Sequence, residues 1–453
     1  MSDESERLLD DAHRRAQAYR ASLPQRAVFP APAALQALEA LDEALPDAGH
    51  GAAATLALLD AVGSPATVAS AGPRYFGFVI GGTLPVAAAA EQLALAWDQC
   101  ASSPVNSPAA AALERVAARW VLEILDLPRE SAVSFGTSAT AGTFSCLATA
   151  RRALLARAGW DSDERGLFGA PALRVVVSER VHITVLKALR LLGFGRREIV
   201  HAPVDRHGRI DPQQLPALDA RTLLCLQAGE VNTGEFDPFP PLIAAARAAG
   251  AWVHVDGAFG LWARASAAMR PLTQGIEAAD SWTTDGHKWL NTPYDGAMAI
   301  CRDAALMAQT MNSDAAYASA AADSQKNLGL EFSRRARGIP VWAVLRALGR
   351  SGVAAMVDRH CALARRLAEG LRAAGIEVLT RVVLNHVLAR LDNDAATDAL
   401  REAAAASGET WFGPGLWEGR RAFRLSVSSW QTREEDIDRT VALLARLARE
   451  AIG

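Results

Sequence analysis

The stretches that decide the fold are Trp252-Val-His-Val-Asp256-Gly-Ala258 and, about thirty residues later, Ser281-Trp-Thr-Thr-Asp-Gly-His-Lys288-Trp289. Both contain tryptophan and β-branched residues, which favour buried strands. An acid closes the first strand, and a lysine follows the second. The sequence therefore predicts two strands whose ends carry a carboxylate and an amine.

Strand and helix patterns alternate over about two hundred residues around these stretches. Strands are predicted at 173–178, 198–202, 222–227, 251–255, 281–284 and 297–301. This alternation predicts an α/β fold, a mainly parallel sheet with helices on both faces. Such sheets bind ligands at the carboxyl ends of their strands. Residues 227–232, 254–256 and 284–288 fall at such ends, which favours one shared site.

Patterning also predicts a division of the chain into three segments. Residues 1–70 are expected to form helices broken by prolines, residues 71–350 a large ligand-binding domain, and residues 351–453 a smaller α+β domain. Within the smaller domain, helices are predicted at 354–374, 394–406 and 433–449, and strands at 378–391 and 422–428.

The bulk composition argues against several classes of partner. The 453 residues carry a formal net charge of −3, which gives no reason to expect nucleic acid or an anionic membrane as a partner. The five cysteines have no Cys-x-x-Cys spacing, which predicts reduced thiols in a cytoplasmic protein. No metal site is expected. We find no apolar signal segment at the N-terminus and no apolar run of membrane-spanning length.

The polar residues at the predicted strand ends match the needs of a pyridoxal phosphate (PLP) enzyme. Such an enzyme needs a lysine that forms an imine, an acid beside the pyridine nitrogen, an anion site and groups that hold the ring. Lys288 is the candidate lysine, and Asp256 is the candidate acid, since a carboxylate favours the protonated ring nitrogen. Residues 137–140 precede a helix whose first N–H groups form an anion site. His182 follows another strand, where an imidazole is able to stack on a flat ring.

Each of these residues also has an ordinary structural interpretation. A lone lysine is usually a solvated surface charge. An acid at a strand end is often a helix cap or part of an ion pair, and Ser or Thr before a helix is a common cap. A lone histidine is more often structural than functional. The PLP hypothesis therefore rests on the residues occurring together.

In their order and spacing, His182, Asp256-Gly-Ala258 and His287-Lys288-Trp289 resemble the group II PLP-dependent amino-acid decarboxylases. This family includes the aromatic-L-amino-acid, histidine and glutamate decarboxylases. Further similar segments lie at 107–114, 234–237 and 423–426. The resemblance implies a fold type I subunit, similar to aspartate aminotransferase, in a homodimer with sites at the interface. Residues 1–70 would then pack on the partner subunit.

The resemblance also implies a role for each matching residue. Lys288 would bind PLP as an imine, Asp256 would pair with the pyridine nitrogen, and the ring would lie between His182 and Ala258. The phosphate would be held by the loop before the helix and by the histidine beside the lysine, namely Ser138, Ala139, Thr140 and His287.

One departure from the family concerns the residue that protonates the product. Family decarboxylases carry a tyrosine on a loop after the lysine, which is thought to protonate the substrate Cα once CO2 has left. The ungapped register counted back from Trp342 places Gln325 at that point, and Tyr317 is the only tyrosine in the stretch 304–329. Either the loop is realigned and Tyr317 is the catalytic acid, or the proton comes from elsewhere.

The candidates for substrate binding are Tyr75, Asn232 and Arg424. Arg424 lies on a predicted strand of the smaller domain, where arginines of the wider fold hold carboxylates; the alternative is a structural arginine. Tyr75 lies in a segment that the family places near the pocket mouth, although an aromatic residue there is more often core.

The resemblance thus implies decarboxylation of an L-amino acid to the corresponding amine. With the same cofactor, the alternatives are oxidative conversion to an aldehyde, aminotransfer and retro-aldol cleavage. A non-catalytic regulatory homologue is a further alternative, against which the presence of both Lys288 and Asp256 argues.

Overall fold

Helices and strands alternate through most of the chain, of which the computed structural model describes residues 2–312 and 324–452. The helices are α1 (Ser2–Ser22), α2 (Pro32–Gln36), α3 (Ala52–Leu58), α4 (Ser64–Ala66), α5 (Pro85–Trp97), α6 (Pro108–Ile124), α7 (Ala139–Arg157), α8 (Ser162–Arg165), α9 (Ile183–Leu191), α10 (Phe239–Ala249), α11 (Ala304–Met311), α12 (Gly338–Ala373), α13 (Asp394–Ala406) and α14 (Glu434–Ile452). The strands are β1 (Ala132–Gly136), β2 (Arg174–Ser178), β3 (Ile199–Ala202), β4 (Thr222–Gln227), β5 (Trp252–Asp256), β6 (Ser281–Asp285), β7 (Ala297–Cys301), β8 (Glu377–Val378), β9 (His386–Arg390), β10 (Gly413–Trp417) and β11 (Arg420–Ser426).

The chain divides into two units. One comprises Gly81–Ala364 and Thr380–His386, and the other comprises Met1–Ile80, Arg365–Leu379 and Val387–Gly453. One of the boundaries between them falls inside α12, which also has a break at Gly349, where φ is +62°.

A seven-stranded sheet organises the first of these units, in the order β1-β7-β6-β5-β4-β2-β3. Strands β2 to β6 run parallel to one another, whereas β7 is antiparallel to both β6 and β1. The predicted α/β class with a mainly parallel sheet is thus confirmed. Because β2, β4, β5 and β6 point the same way, their carboxyl ends meet at one edge.

The central strands are buried because both of their faces are covered. All six residues of β4 and all five of β5 are buried, and each fully buried Val or Leu side chain contributes about 1.5–3 kcal/mol. Helix α7 packs closely on β6. A Cβ at Gly142 would lie only 3.1 Å from Thr283 Cγ2, so glycine allows this approach. That packing brings the N-terminus of α7 to the carboxyl end of β6.

The smaller sheet has the order β10-β11-β9-β8 and is antiparallel at β10–β11 and at β8–β9. The predicted strand at 378–391 is wrong in its extent, because the structure forms two short strands there, β8 and β9. Their backbones pair in an antiparallel register through Val378 and Ala389, so the chain must reverse between them.

Candidate active site

The turn that carries Lys288 follows directly from the end of β6. Asp285 is the last residue of the strand and is 2% exposed. Lys288 Nζ lies 3.0 Å from Asp285 Oδ2, and the lysine side chain is 21% exposed. The other carboxylate oxygen, Oδ1, accepts the backbone N–H of Ala139 at 2.7 Å. One buried carboxylate therefore joins the lysine to the first turn of α7.

Both backbone polar groups of Asp285, the N–H and the carbonyl, are hydrogen-bonded. Its N–H donates to the carbonyl of Ala258 at 2.8 Å, and its carbonyl accepts the indole N–H of Trp262 at 3.0 Å. These bonds tie the loop after β5 to the end of β6. Ala258 therefore lies beside the Lys288 turn.

The N-terminus of α7 has the features of an anion site. Ser138 is the N-cap, and its Oγ accepts the N–H of Ala141 at 3.3 Å. Ala139 and Thr140 are in the first turn, where backbone N–H groups and the helix dipole attract negative charge. A phosphate bound here would meet N–H donors and the Ser138 and Thr140 hydroxyls.

Asp256 ends β5, the neighbour of β6, and is 8% exposed. Its Oδ1 accepts the N–H of Ala258 at 3.1 Å, and its backbone pairs with Gln227 on one side and Thr283 on the other. The structure thus brings this carboxylate to the same sheet edge as Lys288.

Two histidines lie at this edge. His182 is the N-cap of α9, four residues after β2 ends, and its Nδ1 lies 2.7 Å from Thr184 Oγ1. His287 is buried, its ring stacks on Tyr294 at 4.2 Å between centroids, and its Nε2 is 3.7 Å from Asp285 Oδ1. Burial lowers the pKa of His287, although the Asp285 carboxylate opposes this.

Residues from other segments of the chain contact the turn that carries Lys288. A Cβ at Gly81 would overlap the carbonyl oxygen of Lys288, so the two chain segments are in direct contact. Leu84 N–H donates to the Asn291 carbonyl at 2.9 Å. The indole of Trp289, which is fully buried, donates to His360 Nδ1 at 2.8 Å.

The remaining predicted residues have other surroundings. Asn232 lies in the turn after β4, where its Nδ2 donates to Glu230 Oε1 at 3.2 Å. Tyr75 and Arg424 belong to the second unit, where Tyr75 is buried and stacks on Trp411 at 5.1 Å. Arg424 is 8% exposed on β11. Tyr317 lies outside the described residues.

The residue that the sequence analysis missed is Asp285. The predicted strand ends at residue 284, and Asp285 was placed at its carboxyl end without a role of its own. Its position was a usable signal, since it closes a strand and precedes the lysine by three residues. The structure gives it contacts with the lysine and the helix.

Comparison with known proteins defines the class. The sequence model of the Pyridoxal-dependent decarboxylase conserved domain matches residues 38–391. The chain is 27% identical over 350 residues to the aromatic-L-amino-acid decarboxylase of Bacillus atrophaeus, covering 73% of this chain and 70% of the relative. It is 27% identical over 446 residues to the L-2,4-diaminobutyrate decarboxylase of Rhizobium meliloti (strain 1021), covering 90% and 84%. The crystal structure of Oryza sativa TDC with PLP and tryptamine superposes with a TM-score of 0.93 at 24% identity, covering 100% of this chain and 99% of that chain.

The chain therefore belongs to the pyridoxal-dependent decarboxylase family. It is a PLP-dependent amino-acid decarboxylase with the fold type I architecture, which confirms the predicted family, fold, cofactor and reaction class. The relatives do not favour the aldehyde-forming, aminotransfer or retro-aldol alternatives. The residues present fit the cofactor, because a lysine, a buried carboxylate and a helix N-terminus meet at one sheet edge.

Proposed function

We propose that Lys288 binds PLP covalently and that Asp256 is the acid beside its pyridine nitrogen. The observation that carries this proposal is the placement of both residues at the carboxyl edge of the sheet, with Lys288 joined through Asp285 to the first turn of α7. When bound, PLP supplies an electron sink for breaking a bond at the substrate Cα. Asp256 strengthens that sink by stabilising positive charge on the ring nitrogen.

The other two lysines of the sequence have different surroundings. Lys187 is exposed on α9. Lys326 is buried, and its Nζ donates to Asn327 Oδ1 at 2.8 Å. Lys288 is the lysine at the strand ends, and its side chain is partly exposed.

The groups around Lys288 are proposed to hold the cofactor. Backbone N–H groups and hydroxyls of the α7 N-terminus would bind the phosphate, with the His287 imidazole beside them. His182 and Ala258 would hold the two faces of the ring. The residues proposed for the phosphate are Ser138, Ala139, Thr140 and His287.

The substrate is proposed to be an L-amino acid, bound with the help of Tyr75, Asn232 and Arg424. Tyr317 is proposed to supply the proton that replaces CO2 at Cα. Curated relatives act on aromatic amino acids and on L-2,4-diaminobutyrate, by their names. A screen of substrates should therefore contain L-tryptophan, L-tyrosine and L-2,4-diaminobutyrate, with CO2, amine and hydrogen peroxide as the readouts.

Chemical trapping tests the assignment of Lys288. Borohydride reduction of the PLP-loaded enzyme should fix the cofactor on the peptide that contains Lys288, as read by mass spectrometry. Lys288→Ala should lose the label and the amine product, whereas Lys187→Ala should keep both. Label on Lys326 or Lys187 in the wild-type enzyme would refute the assignment. Peroxide formed in place of amine would refute simple decarboxylation.

A homodimer in the cytoplasm is also proposed, with residues 1–70 packing on the partner. Helix α5 supports a dimer, because its Val86, Leu93 and Trp97 side chains lie on one face of the helix and are 36%, 56% and 45% exposed. Apolar side chains grouped in this way are typical of protein interfaces. Light scattering should give twice the chain mass for the wild type and a smaller mass for Leu93→Arg; a monomeric wild type would contradict the proposal. None of the described helices is long and apolar enough to cross a membrane.

A further inference from the structure

The Asp285 carboxylate engages two groups that the cofactor also needs. Its Oδ2 lies 3.0 Å from Lys288 Nζ, the proposed attachment point. Its Oδ1 accepts the N–H of Ala139 at 2.7 Å, a donor of the proposed phosphate site. The carboxylate is nearly inaccessible to water, so screening by solvent is weak and its charge acts strongly on both groups.

We propose that Asp285 is the counter-ion of Lys288 in the cofactor-free enzyme and competes with the cofactor's phosphate for the first turn of α7. The inference rests on the proposed role of Lys288. Without cofactor, the carboxylate stabilises a partly buried ammonium group and a helix N-terminus. On loading, Lys288 leaves this ion pair, and the phosphate brings like charge towards the carboxylate. Asp285 therefore stabilises the empty site and weakens the binding of PLP.

The backbone hydrogen bonds of Asp285 prevent the carboxylate from moving away from the phosphate site together with its backbone. The Asp285 N–H is bonded to Ala258 and the carbonyl to Trp262, so the end of β6 is fixed. The repulsion between the carboxylate and the phosphate can therefore be reduced only by rotation of the Asp285 side chain. The carboxylate thus remains close to the bound phosphate, and the competition persists in the loaded enzyme.

Asp285→Asn tests this mechanism, since it removes the charge and keeps an oxygen able to accept the Ala139 N–H. We expect the Kd of PLP for the apoenzyme to fall by about tenfold, which corresponds to about 1.4 kcal/mol. The Kd of pyridoxal, which has no phosphate, should fall by less. Thermal unfolding of the apoenzyme should occur at a lower temperature than in the wild type.

Asp280→Asn is the matched control. Asp280 precedes the opposite end of the same strand, and its partly buried carboxylate accepts the N–H of Val253 at 2.7 Å. This change should lower thermal stability and leave the Kd of PLP unaltered. Asp285→Ser, neutral and shorter, is a second variant that should shift PLP affinity in the same direction as Asp285→Asn.

The outcomes distinguish a failure of the inference about Asp285 from a failure of the proposed role of Lys288. Unchanged or weaker PLP binding in folded Asp285→Asn and Asp285→Ser would overturn the inference. Equal gains for PLP and pyridoxal would overturn the competition with phosphate. Variants that fold only after PLP is added would support the role in the empty site, whereas variants that fold under neither condition would count against it. A wild-type enzyme that binds PLP at a residue other than Lys288 would instead refute the proposed function.

Discussion

Replacing Glu114 with glutamine should destabilise the protein strongly, because it removes one charge from a buried ion pair. Glu114 on α6 and Arg334 before α12 are 2% and 3% exposed in their side chains. The guanidinium donates to both carboxylate oxygens, at 2.8 and 2.7 Å. Gly338 N–H, at the start of α12, donates to the same carboxylate at 3.1 Å. Burial alone would lower the pKa of Arg334, but the Glu114 charge outweighs it and the pKa is raised.

The magnitude follows from this geometry. Removing one partner of a buried pair leaves the other charge uncompensated, which costs about 3–5 kcal/mol. The double variant Glu114→Leu/Arg334→Met removes both charges and should be less destabilised than Glu114→Gln. Glu123→Gln is the surface control on the same helix. Its partner Arg119 lies 3.8 Å away and both side chains are well exposed, so the change should cost less than about 1 kcal/mol.

Urea unfolding followed by tryptophan fluorescence would measure these differences at equal cofactor saturation. Enzyme activity at low urea reports whether the remaining folded fraction is intact. A loss below 1 kcal/mol in Glu114→Gln, or a double variant less stable than the single one, would refute the reasoning.

Three further changes test other parts of the structure. Burial lowers the pKa of His254 from 6.5 to about 3, so the unfolded chain takes up a proton before the folded chain does as the pH falls. The free energy of unfolding should therefore decrease by about 1.4 kcal/mol per pH unit as the pH falls from 6.5 to 3. This decrease should be smaller in His254→Gln. Gly81→Ala places a Cβ against the Lys288 carbonyl and should weaken PLP binding, measured by absorbance, through displacement of the turn. Trp289→Phe removes the hydrogen bond to His360 and should cost about 1–3 kcal/mol in urea unfolding, whereas a loss near zero would show that the bond is dispensable.

The sequence predicted six of the seven strands of the large sheet but missed β1 at its edge, and it missed β10 at the edge of the smaller sheet. Periodicity identified β2, β4 and β7 to within one residue. It missed β1, an edge strand that is followed at once by the residues of the α7 cap. It also missed β10, which contains Gly413, Pro414 and Gly415. Proline is tolerated on an edge strand because one side of that strand makes no ladder bonds, and local composition does not reveal which strand lies at an edge.

At the candidate site, too, the local sequence did not reveal a residue whose role depends on distant parts of the chain. Lys288 and Asp256 stood out because each lies at or just beyond the end of a predicted strand. Asp285 did not stand out, since its importance depends on Ala139, a residue of a distant segment. Only the packing of α7 on β6 brings that N–H within 2.7 Å of the carboxylate. Sequence reasoning therefore finds residues whose chemistry is unusual for their local context and misses those whose partner is remote in the chain.

The contacts that hold the backbone of the Lys288 turn differ from the contact that acts on the lysine amine. Gly81, Leu84 and His360 contact the turn through backbone groups or through Trp289. Asp285 alone among the described carboxylates approaches within 4 Å of the amine itself. Substitutions of Gly81, Leu84 or His360 should therefore change stability and cofactor affinity together, because they move the backbone. A neutral residue at Asp285 should change them in opposite directions, because it removes a charge and leaves the backbone in place.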